Sequence, residues 1–242
     1  TTADSSPEGS PADPIGQTEI HLRLLATSDL HVHIMPYDYY ADTNTDRLGL
    51  ARTASLIAEA RDEAENSLLF DNGDFLQGSP LGDYVVQTHD QRRGQVHPMI
   101  AAMNYLRYDA GTLGNHEFNY GLDFLTTSLA GANFPIVAAN VLRVADDGPE
   151  RTLIPPYIML KRTVVNAEGV KFPLKIGVIG FAPPQIMIWD RRHLADHLTT
   201  SDIVDAANIY VPQMKRDMPG LKGPEVEALY ARGAAWLQGK PI

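Results

Sequence analysis

Apolar and polar positions along the chain fall into short runs whose period changes several times. Over residues 20–26, within IHLRLLATSDLH, Ile20, Leu22 and Leu24 alternate with polar neighbours, as a first core strand would. Over 48–65 the spacing lengthens: Leu50, Ala54, Ile57 and Ala58 stand at i, i+4, i+7 and i+8 and make one apolar stripe of a helix. The apolar run 67–70 is cut off by DNGD and reads as a buried strand ending in a turn. A loop rich in Gly and Pro leads to a second helix near 96–106, and DAGTLGNHE supplies another short strand with a polar end. Leu122, Leu125 and Leu129 mark a third helix ending near Gly131, followed by a strand in NFPIVAANV. Two more strands are expected at 157–165 and 175–181. A last helix over about 202–218 carries Ile203, Ala207, Tyr210 and Met214 on one face, with Pro212 expected to kink it or end it early. Strands alternating with helices predict an α/β layered fold, with functional residues on the loops after the strands.

Composition narrows the chemistry. The chain has 242 residues, enough for a layered core without a disulfide or a structural metal. Hydrophobic content of 44% with 21% charged residues is ordinary for a globular protein, and no apolar run approaches the roughly 18–20 residues of a bilayer span. Thirty acidic against 20 basic residues give a formal charge of -10, which argues against a duplex nucleic-acid partner. It leaves small phosphate substrates open, because a bound cation reverses the local field. Cysteine is absent, so thiolate metal sites, disulfides and cysteine nucleophiles are excluded. The opening stretch, residues 1–18, is polar and rich in Pro, Ser and acids, and reads as a flexible leader that could follow a removed export signal or mark an artificial start.

Three polar clusters stand where strand ends are expected. Asp29 and His31 in TSDLHVH are two residues apart, so both side chains can leave a strand in one direction and reach one metal. Asp74 in LLFDNGDFLQGSP follows Gly73, which allows the turn that puts a carboxylate at the sheet edge. Asn115 and His116 in LGNHEFNYG offer an amide oxygen and an imidazole, a ligand and an acid. Each cluster alone has an ordinary reading as a turn or a loop cap. Their succession, each directly after an apolar run, is what ordinary loops would not supply.

The succession D-x-H, G-D-x-x-Q-G-S and G-N-H-E resembles the calcineurin-like metallophosphoesterases, and within them the exported nucleotidases that open 2′,3′-cyclic nucleotides and hydrolyse 3′-nucleotides. ATSDLHVHIMPYDYY, DNGDFLQGSPLGDY, TLGNHEFNYGLDFL and GVIGFAPPQIMIWD carry the likeness, from about Glu19 to Gly220. The resemblance implies a layered β-sandwich flanked by helices, a nucleotide substrate, a periplasmic or secreted location and two divalent cations drawn from Mn, Zn, Fe or Co. It implies that Asp29 and His31 bind the first cation, Asp74 bridges both, Asn115 binds the second, and His116 protonates the leaving oxygen or stabilises charge on the phosphoryl group.

Two departures accompany it. Related 5′-nucleotidases carry Asp where this chain has Asn119, which favours the cyclic-phosphodiesterase branch and leaves open what orients His116. The family also completes its site with a later His and a G-H-x-H segment, and no G-H-x-H occurs here. Residues 19–220 are therefore expected to be a partial metallophosphoesterase domain, and 221–242 resemble a segment leading to a second, nucleotide-specificity domain. A catalytically incomplete metal- or phosphate-binding unit, and a 5′-nucleotidase or nucleotide-sugar hydrolase, stay open beside the cyclic-nucleotide reading. Of the other histidines, His193 and His197 have a helical i, i+4 spacing but read first as a solvated turn or helix start. His33 suits a contact behind the ligands or with substrate, and His21, His89 and His97 read as surface or structural. Arg92–Arg93 and Arg191–Arg192 are expected in solvated loops.

Overall fold

The computed structural model describes residues 19–88, 94–144 and 151–217, so the leader, the segment after residue 217, His89 and Arg92–Arg93 lie outside the described residues. In chain order the elements begin with β1 (Arg23–Thr27), β2 (Tyr37–Asp38), β3 (Thr43–Asn44), α1 (Leu50–Asp62), β4 (Ser67–Asp71), α2 (Pro80–Thr88), α3 (Pro98–Tyr105) and β5 (Ala110–Thr112). A 3-10 turn (His116–Phe118) follows, then α4 (Leu122–Leu129), β6 (Ile136–Val137), β7 (Val141–Arg143), β8 (Arg151–Thr152), β9 (Tyr157–Val165), β10 (Lys171–Ile179), α5 (Ile186–Trp189), α6 (Arg191–Leu194), β11 (Leu198–Thr200) and α7 (Ile203–Arg216).

Four parallel strands in the order β1-β4-β5-β6 form the platform of the molecule. Leu50 and Ile57 of α1, Met99, Ile100 and Met103 of α3, and Leu125 of α4 are buried in one cluster with Leu69 of β4 and Ile136 of β6. The α/β expectation is borne out, and the helices cover one face of the sheet. The other face is less covered: a groove of about 450 Å³ runs over Ala26, Phe70 and Ala110 toward Val178 and Ile179 of β10. β9 and β10 form a long antiparallel hairpin, and β11, β7 and β8 a small antiparallel sheet.

Several sequence expectations need correction. The first strand is Arg23–Thr27, and its alternation is one residue out of phase: Leu25 packs on the core while Leu24 is 63% exposed. A strand reading RLLAT is apolar on both sides, as parallel strands often are, so its phase cannot be read from periodicity. The Gly- and Pro-rich segment after β4 holds a helix, α2. Its start is marked by Ser79, whose hydroxyl accepts the Gly82 N–H at 3.3 Å, and by Pro80, which needs no donor in a first turn. NFPIVAANV splits into β6 and β7, and β10 begins at Lys171, four residues before the expected start. Pro212 lies inside α7 and does not end it; the carbonyl it leaves without a helical donor belongs to Asn208, an exposed residue where water can supply the bond. The buried face of α7 is Ala206 and Met214, with Ile203 exposed.

The split between β6 and β7 is set by Asn140. Its buried amide accepts the Ala182 N–H at 2.9 Å and donates to the Ala182 carbonyl at 2.8 Å and the Ser201 carbonyl at 3.3 Å. It thereby pins the segments on either side of α5 and α6 to the sheet. Asn140→Ala would strand the buried N–H and C=O of Ala182. The expected loss is about 2–6 kcal/mol, at roughly 1–3 per unsatisfied group, read as a lower urea midpoint with an unchanged m-value.

Candidate metal centre and catalytic site

β1, β4 and β5 run parallel, with Thr27 beside Asp71 and Asp71 beside Gly111, so their three following loops emerge at one sheet edge. Those loops carry Asp29 and His31, Asp74, and Asn115 and His116. His31, Asp74 and His116 each offer one ligand atom, all within 4.8 Å of one another, and the two imidazoles meet edge to face at 5.0 Å. Asp29 stands beside this cluster, with its Oδ1 3.7 Å from His31 Nε2 and its side chain 62% exposed. Asn115 opens the 3-10 turn without a side-chain capping bond, so its amide is not spent as a cap.

The hydrogen bonds decide which atoms remain available. His31 Nδ1 lies 2.6 Å from the Gln77 carbonyl, which can only accept, so Nδ1 carries the proton and Nε2 keeps its lone pair. Asp74 Oδ1 accepts the His116 N–H at 2.8 Å, leaving its other oxygen uncommitted by that bond. His116 Nδ1 meets Asn119 Oδ1 at 2.7 Å, which supplies the orienting partner that the sequence left open. Asn119 in turn donates to Asp190 Oδ1 at 2.9 Å. A donor set of the His31 imidazole, the Asp29 and Asp74 carboxylates and the Asn115 amide suits a divalent transition metal.

The loops reach this geometry through backbone few residues adopt. Asp29, His31, Val32 and Asp74 have φ of 56°, 46°, 57° and 62°, and Val32 is β-branched. Asp29 N–H to the Gly73 carbonyl (3.1 Å) and His31 N–H to the Asp74 carbonyl (2.9 Å) tie the first loop to the second. Two glycines make room: a Cβ on Gly114 would sit 2.3 Å from Asp74 Oδ1, and one on Gly78 2.3 Å from His31 Nδ1.

Glu117 was not singled out from the sequence, although it stands inside G-N-H-E. It is fully buried, and its carboxylate accepts N–H groups from Asp74 (2.8 Å), Phe75 (2.7 Å), Leu76 (3.1 Å) and Gly114 (2.6 Å). Burial raises its pKa, and the backbone donors from Asp74, Phe75 and Gly114 oppose the rise by favouring the ionised form. Asp71, buried at the end of β4, accepts from Thr27 Oγ1 at 2.6 Å and from the Gly73 N–H at 2.9 Å. Burial pushes its carboxyl up to about 7 against those bonds, with the charges of Glu117 and Asp29 adding to the rise.

The remaining candidates separate clearly. His33 Nδ1 is buried without a hydrogen-bond partner among the described residues, and burial followed by the neighbouring His31 lowers its pKa. His193 and His197 do not share a helix face, because α6 ends at Leu194 and Ala195 is extended. Arg192 Nε donates to His193 Nε2 at 2.9 Å. His97 caps α3, accepting the Met99 N–H at 3.2 Å, and His21 is exposed beside Glu19. Among the described residues no helix is long and apolar enough to cross a membrane.

Glu117→Gln would turn an NH2 group against backbone donors. We expect a loss of about 2–4 kcal/mol in stability and at least about 10-fold weaker Zn binding, read by urea unfolding and chelator competition. For Asp71 the sign follows from its raised pKa. The folded state holds a proton that the unfolded chain releases from its ordinary 3.8, so this contribution is complete below about pH 4 and lost as pH rises through about 7. Metal-free protein should therefore lose stability relative to Asp71→Asn across that window, whereas parallel pH curves would contradict the assignment.

A family model described as calcineurin-like phosphoesterase matches residues 22–194. The chain is 47% identical over 220 residues to the 2′,3′-cyclic-nucleotide 2′-phosphodiesterase/3′-nucleotidase of Salmonella typhimurium, covering 91% of this chain and 33% of that protein. It is 48% identical over 209 residues to the trifunctional nucleotide phosphoesterase protein YfkN of Bacillus subtilis, covering 85% of this chain and 14% of that one. The chain thus spans a third or less of the length of these relatives. The crystal structure of Bacillus subtilis YfkN superposes with a TM-score of 0.78 at 47% identity, covering 82% of this chain and 59% of the other. A putative 5′-nucleotidase from Staphylococcus aureus superposes at 0.66 and 30% identity, covering 81% and 35%. With its three motif loops converging on one sheet edge and most of its length matched, the chain belongs to the calcineurin-like phosphoesterase family.

Proposed function

We propose that this phosphoesterase opens 2′,3′-cyclic nucleotides to 3′-nucleotides and then releases nucleoside and phosphate. The observation that carries the reading is the convergence of His31, Asp74 and His116 within 4.8 Å at the ends of three parallel strands. The names of relatives at 45–50% identity support the substrate class. Likeness to the 5′-nucleotidase precursor of Thermus thermophilus, at 29% identity and a TM-score of 0.56, supports an exported, periplasmic or secreted location.

In this reading Asp29, His31 and Asp74 would hold one divalent cation, and Asp74 with Asn115 would hold a second. The residues fit such ions: His31 keeps Nε2 available, one Asp74 oxygen is not committed to His116, and the Asn115 amide is not spent as a cap. When bound, Mn, Zn, Fe or Co would supply Lewis acidity to the phosphate oxygens and to the attacking water. In the first hydrolysis the water oxygen joins phosphorus, the P–O2′ bond breaks, and the 2′ oxygen takes up a proton. His116, when protonated on both ring nitrogens, delivers that proton from Nε2, or stabilises charge there, since Nδ1 is engaged by Asn119; the proton lost by the attacking water passes to solvent. In the second hydrolysis the P–O3′ bond breaks in the same way.

A 5′-nucleotidase reading is favoured by the Staphylococcus aureus neighbour and opposed by Asn119. Protein loaded with Mn or Zn is expected to turn over 2′,3′-cyclic AMP faster than 5′-AMP. Asp74→Asn should lower kcat/KM for the cyclic substrate by at least about 100-fold. No metal-dependent turnover, or equal rates for the parent and Asp74→Asn, would sink the reading. Two tightly held ions per chain would exclude the alternative in which these 242 residues form an incomplete metal-binding unit.

A further inference from the structure

Asp190 lies 71 residues after Asn119 in the sequence and belongs to none of the three motif loops. The turn joining α5 to α6 presents it: the Asp190 carbonyl accepts the His193 and Leu194 N–H groups at 2.8 and 3.1 Å, and its own N–H reaches the Ile186 carbonyl at 2.9 Å. Asn140 anchors the start of this excursion at Ala182, and α6 packs against the loop after Asn119, where a Cβ on Gly121 would lie 3.3 Å from His193 Nδ1. Asp190 is buried, and its Oδ2 has no partner among the described residues. The bond from Asn119 is therefore the one side-chain hydrogen bond this carboxylate makes among them. A buried carboxylate kept for so little structural return points to a role outside stability.

That role follows from which groups can donate. An amide has a donating end and an accepting end, whereas a carboxylate oxygen accepts. Asp190 takes the NH2 end of Asn119, which turns the amide oxygen toward His116 and requires a proton on Nδ1. A reversed amide would set two oxygens against each other at the Asp190 end. We propose that Asp190 is a positioning residue which, by fixing the Asn119 amide, holds His116 in the Nδ1–H tautomer with Nε2 free for the phosphoryl group. The chain thereby obtains through an amide and a distant carboxylate the orientation that a carboxylate at position 119 would give directly. The inference rests on the catalytic role proposed above for His116, but its test can be read without turnover.

The test is the tautomer of His116 in chelator-treated protein labelled with 15N-histidine, in alkaline buffer where imidazoles are neutral. The His116 signals are identified by their loss in His116→Gln. The parent should show Nδ1–H alone. Asp190→Asn, which lets the Asn119 amide turn either way, should give a mixture or the Nε2–H form. The double substitution Asn119→Asp with Asp190→Asn transposes amide and carboxylate and should restore Nδ1–H. In turnover of 2′,3′-cyclic AMP, Asp190→Asn should lower kcat about 10-fold with KM within about 3-fold, and the double variant should regain most of it. If Asp190→Asn keeps Nδ1–H alone, or the transposed pair fails to regain it, the proposal is wrong. Circular dichroism of each variant confirms folding, and the near-isosteric Asn substitution carries the result if Asp190→Ala does not fold. Absence of turnover in every variant, with the tautomers as expected, would refute the cyclic-nucleotide reading and leave the positioning role standing.

Discussion

The structure of the site depends on one buried carboxylate. Glu117 gathers four backbone N–H groups, three from the segment Asp74–Leu76 and one from Gly114. Those donors belong to two loops that follow different strands. No side chain with a single acceptor could hold both, and a hydrophobic residue would leave four donors unpaired, the buried ones of Phe75 and Leu76 at a cost of about 1–3 kcal/mol each. The bond from the His116 N–H to Asp74 then closes the connection, so that a carboxylate from the second loop and an imidazole from the third are held together. Burial raises the pKa of Glu117, and the backbone donors oppose that rise. The centre is organised from below, by a charge that faces only backbone.

The parallel sheet brings the three loops to one edge but does not shape them. Their shape comes from left-handed backbone at Asp29, His31, Val32 and Asp74, held by bonds between the first two loops. Such conformations persist only where the surroundings over-determine them. Here the constraints are the Glu117 clamp, the fully buried Val32, and the absence of a side chain at Gly78 and Gly114. The net charge of -10 is consistent with this arrangement, since cations at the cluster would present a positive face to phosphate whatever the sign of the remaining surface.

Much of this was legible in the sequence. The α/β class followed from alternating periods, and the three clusters were found because each directly follows an apolar run. Less legible was anything set by contact between distant segments. The phase of β1 was unreadable because both of its faces are apolar. α2 was concealed by a composition typical of loops, although Ser79–Pro80 is a helix start that local chemistry could have revealed. Pro212 misled because the effect of a proline depends on whether the carbonyl it strands can reach water. Glu117 sat in a recognised motif without a role, since its four partners are backbone groups that no side-chain pattern records. Asp190 lay beyond local reasoning altogether, because only the fold places α5 and α6 against Asn119.

A single carboxylate, that of Glu117, holds the second and third motif loops in place without any bound ion. Native-state hydrogen exchange of the metal-free protein tests it at the four amides concerned. The N–H groups of Asp74, Phe75, Leu76 and Gly114 should exchange as slowly as those of the central strand Ser67–Asp71, although they lie in loops. Exchange at the rate of an open surface loop would contradict it.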